Sequence, residues 1–222
     1  MIKAVLFDFN GTLFNDTRFH VAAWKNFCEK YCGLHYTEEE VCDQFIGPSN
    51  AMTLRRLFGE DITDEEIERW SAKKEEEYRD MVRSNPENMR LMDGAAEFLD
   101  YLSEKGIPFA LATASMTPNV EFYMEEIGMK KWFTMDCVVF DEGILPNKPD
   151  PAFYLEAARR INVKPEDCLV FEDTRSGIQA AINANAGRII AIDRTTPMDL
   201  LLKFPQIHEI IHDFYGFHRF LV

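Results

Sequence analysis

The sequence predicts an α/β protein: a parallel sheet with helices on both faces and an all-helical insert after the first strand. The chain opens on an apolar, strand-sized run, KAVLFD at residues 3–8. From about residue 90 such runs alternate with segments of helical period. Between these two regions the patterning is helical throughout, without a strand-like run. The expected division is a core of residues 1–14 and 87–222 and a helical cap of residues 15–86 that forms a lid. Open parallel sheets bind ligands outside the carboxyl ends of their strands, so those ends are where functional residues are sought.

After the opening strand, Phe19, Ala23, Phe27 and Tyr31 recur at helical spacing. A second helix is expected from about Thr37 to Phe45 and, past the break GPSN, a third from Ala51 to Phe58. Thr63-x-x-Glu66 is a capping box, in which hydroxyl and carboxylate each satisfy a backbone N–H of the first turn. It opens a fourth helix with Ile67, Trp70, Lys74, Tyr78 and Met81 along one face, ended by SNPEN. The core resumes with a helix over Ala95–Lys105 and the strand PFALATA. TPNVEFYMEEIG reads as a capped helix, with Thr117 at the N-cap, Pro118 at the first position and Gly128 at the exit. DCVVFD, CLVFED and RIIAID are strands. DPAFYLEAARRI, with Asp150 and Pro151 at its start, and RSGIQAAINANA are helices.

A hydrophobic fraction of 46% and 18 Phe suffice for a sizeable core. The longest apolar runs are strand-sized, so no membrane span is expected. The amino terminus shows no signal-peptide pattern, and the expected location is cytoplasmic. The five cysteines include no C-x-x-C and sit among apolar neighbours, as small core residues in a reducing compartment do. Cys28 and Cys32 share helical spacing, but no His pair completes a metal set. A net charge of −14 argues against a nucleic-acid partner, whose phosphates demand a basic face. It permits a small phosphorylated metabolite where a metal and local cations are present. A monomer is expected.

The strands deliver a coherent set of side chains. The first ends in Asp8, the second in Thr113 followed by Ala114 and Ser115, Lys148 follows the third, and the fourth ends in Glu172 and Asp173. Singly each has a plain structural reading: an Asp caps a helix, Glu-Asp before a helix suits its dipole, and a lysine before Pro-Asp-Pro faces solvent. At successive strand ends they fit phosphoryl transfer. A carboxylate can attack phosphorus and carry the phosphoryl group. Anion meeting anion calls for a hard divalent cation, Mg2+, held by Asp8 and Asp173, with Glu172 bound directly or through water. Thr113 and Lys148 would bind the phosphoryl oxygens. Gly11 permits a sharp turn that lets backbone N–H groups face the phosphate.

The segments LFDFNGTLF, LATAS, NKPDP and VFEDTRSGIQAA resemble, in order and spacing, the four motifs of the haloacid dehalogenase superfamily of phosphatases. The insert resembles that of its β-phosphoglucomutase-like branch. The resemblance implies a Rossmann-like core, a mobile cap, Mg2+ and an Asp8 nucleophile. It also implies phosphate binding by Thr113 and Lys148 with Ser115 and Gly11 beside them, and metal ligation by Asp8, Asp173, Glu172 and the backbone carbonyl of Asn10. HVAAW resembles a cap segment that places His20 and Trp24 near the cleft; the plain reading is a surface His beside a core Trp. Lys74 is a further candidate for substrate binding. Where the mutases carry a lysine and an arginine for a distal phosphate, this chain has Ile46 and Asn50, which favours hydrolysis. Arg55 and Arg56 read as a solvated helix face.

Asn10 departs from the family pattern, in which an aspartate protonates the leaving group and later activates water. An amide cannot exchange that proton near neutral pH, a loss of about 10²–10⁴-fold. The metal-dependent acidic pair argues against dehalogenase chemistry, and Lys73 or Lys74 is a weak match to a phosphonatase lysine. Three explanations stay open: a phosphatase for activated phosphates, a phosphate-binding protein with little turnover, or an Asn that is not the gene's own residue. A sugar-phosphate mutase is the enzymatic alternative.

Overall fold

The computed structural model describes residues 2–221. The chain divides into two compact units, Met1–Asn15 with Arg90–Val222, and Asp16–Met89. The first is built on a six-stranded parallel sheet, β1 (Ala4–Phe7), β2 (Phe109–Met116), β3 (Val138–Asp141), β4 (Cys168–Glu172), β5 (Arg188–Ile192) and β6 (Ile207–Ile211), in the order β3-β2-β1-β4-β5-β6. Sequence order therefore runs outward from β1 in both directions. The reversal marks a topological switch point at β1 and β4, which pair with Leu6 opposite Val170 and Phe7 opposite Phe171.

Every residue of β1 and β4 is buried, as continuous apolar strands between two helical layers should be. On one face Leu6, Ala110, Ala112, Val139 and Val170 pack with α7 (Ala152–Arg160) and α8 (Arg175–Asn183). On the other, Phe7 stacks on Phe171 at 5.3 Å between ring centroids, and Phe98 of α5 (Ala95–Lys105), Phe214 and Phe220 close an aromatic cluster.

Three expectations for this unit are corrected. β2 does not end at Thr113. It runs on to Met116, opposite Asp141, after a register shift past Ala112. Thr117 is then the first residue of α6 (Thr117–Glu125), whose N-cap is Met116. The edge strand β6 was not anticipated, because the polar pair His208-Glu209 interrupts its apolar pattern. The helix expected from Asp150 and Pro151 starts at Ala152, with Pro151 at the N-cap and Asp150 one residue before it, where its Oδ1 accepts the Ala152 N–H at 2.9 Å.

The second unit is helical: α1 (Thr17–Phe27), α2 (Glu38–Phe45), α3 (Asn50–Phe58) and α4 (Asp64–Arg83). Val21, Trp24, Phe27, Cys28, Val41, Phe45 and Leu54 form its core. Thr63 makes the expected capping box, and Thr37 makes a second with Glu40, a spacing the sequence also carries. Two details differ. Tyr31 lies in a wider π-type turn over Cys28–Cys32 that ends at Gly33, and Val82 rather than Met81 is buried on the long helix. Among the described residues no helix is long and apolar enough to cross a membrane.

Candidate active site

Asp8 follows β1 directly and continues its ladder, its N–H donating to the Phe171 carbonyl at 3.0 Å. Glu172 closes β4 and Asp173 follows, so the switch in strand order sets three buried carboxylates side by side. One oxygen from each of Asp8, Glu172 and Asp173 lies within 4.8 Å of the others. Lys148 reaches in from the loop between β3 and α7. Its Nζ donates to Asp8 Oδ1 at 2.7 Å and Glu172 Oε1 at 2.6 Å, and bonds the Tyr154 hydroxyl at 3.2 Å.

Burial disfavours the Lys148 ammonium, but Asp8 and Glu172 outweigh it and hold the lysine above its ordinary range. Asp173 has no such partner. Burial first, then the charges of Glu172 and Asp8, push its carboxyl well above the usual carboxylate range. Thr12, donating to Oδ1 at 3.1 Å, and the neighbouring Thr195 hydroxyl oppose the rise. Among the described residues, Oδ2 accepts no hydrogen bond.

Gly11 makes the turn expected of it and meets a second constraint. Its own N–H donates to the Phe14 carbonyl at 2.8 Å. Its φ is +76°, and a Cβ there would sit 2.0 Å from Asp173 Oδ2. The glycine is needed for clearance as much as for turning. Gly177, in the first turn of α8, is constrained likewise: a Cβ would lie 1.6 Å from Glu172 Oε1.

Asn10, Thr113 and Ser115 meet on the β2 side. Ser115 Oγ donates to Asn10 Oδ1 at 2.7 Å, and Asn10 Nδ2 donates to the Tyr123 hydroxyl at 2.8 Å. The Tyr123 hydroxyl in turn lies 3.2 Å from Ser115 Oγ, which closes a ring. Thr113 Oγ1 lies 3.0 Å from Ser115 Oγ and accepts the Ser115 N–H at 3.1 Å.

One rim of the α/β unit thus gathers Asp8, Asn10, Gly11, Thr113, Ser115, Lys148, Glu172 and Asp173. His20 and Lys74 belong to the helical unit and meet each other there, Lys74 Nζ lying 2.7 Å from His20 Nδ1 and donating to Glu75 Oε1 at 2.9 Å. Glu75 also accepts from Asn50 Nδ2 at 2.7 Å. Tyr78 donates to Asp16 Oδ2 at 2.5 Å and stacks on the His20 ring. Trp24 is a core residue. Sequence reasoning missed Thr12, Tyr123, Tyr154 and Thr195 at the rim. Thr12 sat inside the first motif and was legible. The two tyrosines looked like ordinary helix-face aromatics.

Residues 5–191 match the family model described as haloacid dehalogenase-like hydrolase. The chain is 29% identical over 195 residues to a phosphorylated carbohydrates phosphatase of Thermotoga maritima, covering 86% of this chain and 85% of that one. It is 30% identical over 220 residues to a probable pseudouridine-5'-phosphatase of Drosophila melanogaster, covering 94% and 90%. Among solved structures, a hydrolase of family IA, variant 3, from Entamoeba histolytica superposes with a TM-score of 0.90 at 32% identity, over 99% of this chain and 98% of that one.

Proposed function

The chain belongs to the haloacid dehalogenase-like hydrolases, and from that premise we propose that it is a Mg2+-dependent phosphatase acting on a small phosphorylated metabolite through an aspartyl phosphate on Asp8. The observation that carries this is the contact of Lys148 with Asp8 and Glu172 beside the under-bonded Asp173. The activities named for the Thermotoga and Drosophila relatives support the substrate class. Five free thiols support a reducing, cytoplasmic setting.

In this reading an Asp8 oxygen attacks phosphorus, and the bond to the leaving oxygen breaks with its electron pair. Lys148 and the hydroxyls of Thr113 and Ser115 bind the phosphoryl oxygens and offset their charge. Water then attacks phosphorus, the P–O bond to Asp8 breaks with its electron pair and restores the carboxylate, and phosphate leaves while the water proton passes to solvent. The donor set fits Mg2+: three buried carboxylates share one small volume, and Asp173 Oδ2 accepts no hydrogen bond among the described residues. Asp8, Asp173 and the Asn10 carbonyl would hold the ion, with Glu172 acting through water. When bound, Mg2+ supplies Lewis-acid neutralisation between nucleophile and phosphate. His20 and Lys74 are the proposed substrate-recognition pair of the helical unit.

Hydrolysis is favoured over mutase chemistry because the expected distal-phosphate positions supply no cation. Asn50 is committed to Glu75, while Arg55 bonds Asp64 and Arg56 the Gln44 carbonyl. Asn10 favours substrates whose leaving groups depart as stable anions. Its closed ring with Tyr123 and Ser115 also favours a second reading, a phosphate-binding protein with little turnover.

Hydrolysis of an aryl phosphate should require Mg2+, vanish in Asp8→Asn and rise by ~10²–10⁴-fold in Asn10→Asp. A panel of phosphorylated metabolites with Asn10→Asp then identifies the substrate class. Metal-independent hydrolysis, or hydrolysis that survives Asp8→Asn, refutes the proposal. Phosphate binding without turnover in either form selects the second reading.

A further inference from the structure

Lys148 approaches the rim with three protons and three acceptors: Asp8 Oδ1 at 2.7 Å, Glu172 Oε1 at 2.6 Å and the Tyr154 hydroxyl at 3.2 Å. We propose that Tyr154 is a positioning residue which, with Glu172, forms a two-point mount for Lys148, so that the third N–H is the one presented to a phosphoryl oxygen. The proposal rests on the phosphatase reading only for the identity of the ligand.

Both halves of the mount are fixed independently of Lys148. Glu172 Oε2 accepts the N–H groups of Asp173 and Thr174, both at 2.8 Å, and the Thr174 hydroxyl at 3.0 Å. The Gly177 backbone presses close to the same carboxylate. Tyr154 is fully buried on α7, and its hydroxyl donates to Glu172 Oε1 at 3.0 Å. With that proton committed, a lone pair of the Tyr154 oxygen is left to receive Lys148. The Tyr154 ring also lies beneath the ammonium, 4.8 Å from Nζ.

When Asp8 turns to phosphorus, Lys148 loses one partner and keeps two. The freed N–H then points to where Asp8 was, which is where a phosphoryl oxygen arrives. A lysine on its flexible four-carbon stem would otherwise have to be ordered at the moment of binding. Glu172 accepts from five donors and acts on the ligand through Lys148.

The test is the affinity for inorganic phosphate in Mg2+ buffer, by calorimetry, across a cycle of Tyr154→Phe, Lys148→Met and the double variant. Tyr154→Phe keeps the ring and removes only the hydroxyl. It should weaken phosphate binding about tenfold, the worth of a hydrogen bond to a charged group. In the Lys148→Met background the same change should have no further effect. A merely structural tyrosine would lower the unfolding temperature without that coupling. Unchanged affinity in Tyr154→Phe, or the same tenfold loss without Lys148, overturns the mount. Coupled phosphate binding without turnover by the unmodified chain or Asn10→Asp supports the mount and overturns only the phosphatase reading. Absence of phosphate binding by the unmodified chain overturns both.

Discussion

Gly11→Ala is a one-methyl change whose cost can be worked out from the rim itself. An L-residue held at φ +76° carries about 1–2 kcal/mol of backbone strain. The added methyl would stand 2.0 Å from Asp173 Oδ2 and 2.7 Å from Thr195 Oγ1, where ordinary contact begins near 3.4 Å. Asp173 must therefore retreat by more than an ångström or the loop must open, and such overpacking costs a further ~1–3 kcal/mol. The sum, about 2–5 kcal/mol, should appear as a lower urea midpoint with an unchanged slope. Displacing a proposed metal ligand by that distance should also cost on the order of 10²-fold in Mg2+-dependent hydrolysis of an aryl phosphate. A Gly11→Ala chain with the parent's urea midpoint and Mg2+ dependence would refute the reasoning, for it would mean that the close approach of loop and Asp173 is not a constraint.

Two further outcomes follow from the helical unit and the thiols. Burial disfavours the Glu75 carboxylate, but Lys74, His20 and the Asn50 amide more than reverse this and hold it near a pKa of about 2. A depressed folded value stabilises the unit above the unfolded range near 4.5, and the contribution is lost as pH falls from there towards about 2. It amounts to on the order of 3 kcal/mol. Acid unfolding followed by tryptophan fluorescence should lose this limb in Glu75→Gln; an unaltered limb would count against the ion pair. Burial pushes the thiols of Cys28 and Cys168 up to about 12, so iodoacetamide at pH 8 should label neither in the folded chain. Mass spectrometric detection of an adduct at either site under native conditions would contradict their burial.

Much of the rim was readable because its residues are tied to local pattern. Asp8, Glu172 and Asp173 stand where apolar strand runs give way to polar loops, and Lys148 stands before a helix start marked by Pro and Asp. The capping box at Thr63 is readable for the same reason, since both partners lie within four residues. The errors fall where distant segments decide. β2 extends past Thr113 because Met116 finds Asp141 on a neighbouring strand. β6 exists because β5 offers an edge to a segment whose own pattern is weak. Tyr154 and Tyr123 carry apolar rings that satisfy any helix face. Only the packed molecule shows that their hydroxyls end beside Lys148 and Asn10, 6 and 113 positions away in the chain.

By itself, then, the sequence determined the alternation of strand and helix, the helical insert, and which residue types reach the strand ends, because each depends on periodicity and short-range hydrogen bonding. The strand order was left to tertiary structure, and with it the pairing of β1 with β4 that sets Asp8 beside Glu172. So were the clearance at Gly11 and the contact of Lys148 with Asp8, 140 positions away. Each of these is a contact between segments far apart in the chain, and its energy depends on geometry that no local stretch of sequence encodes.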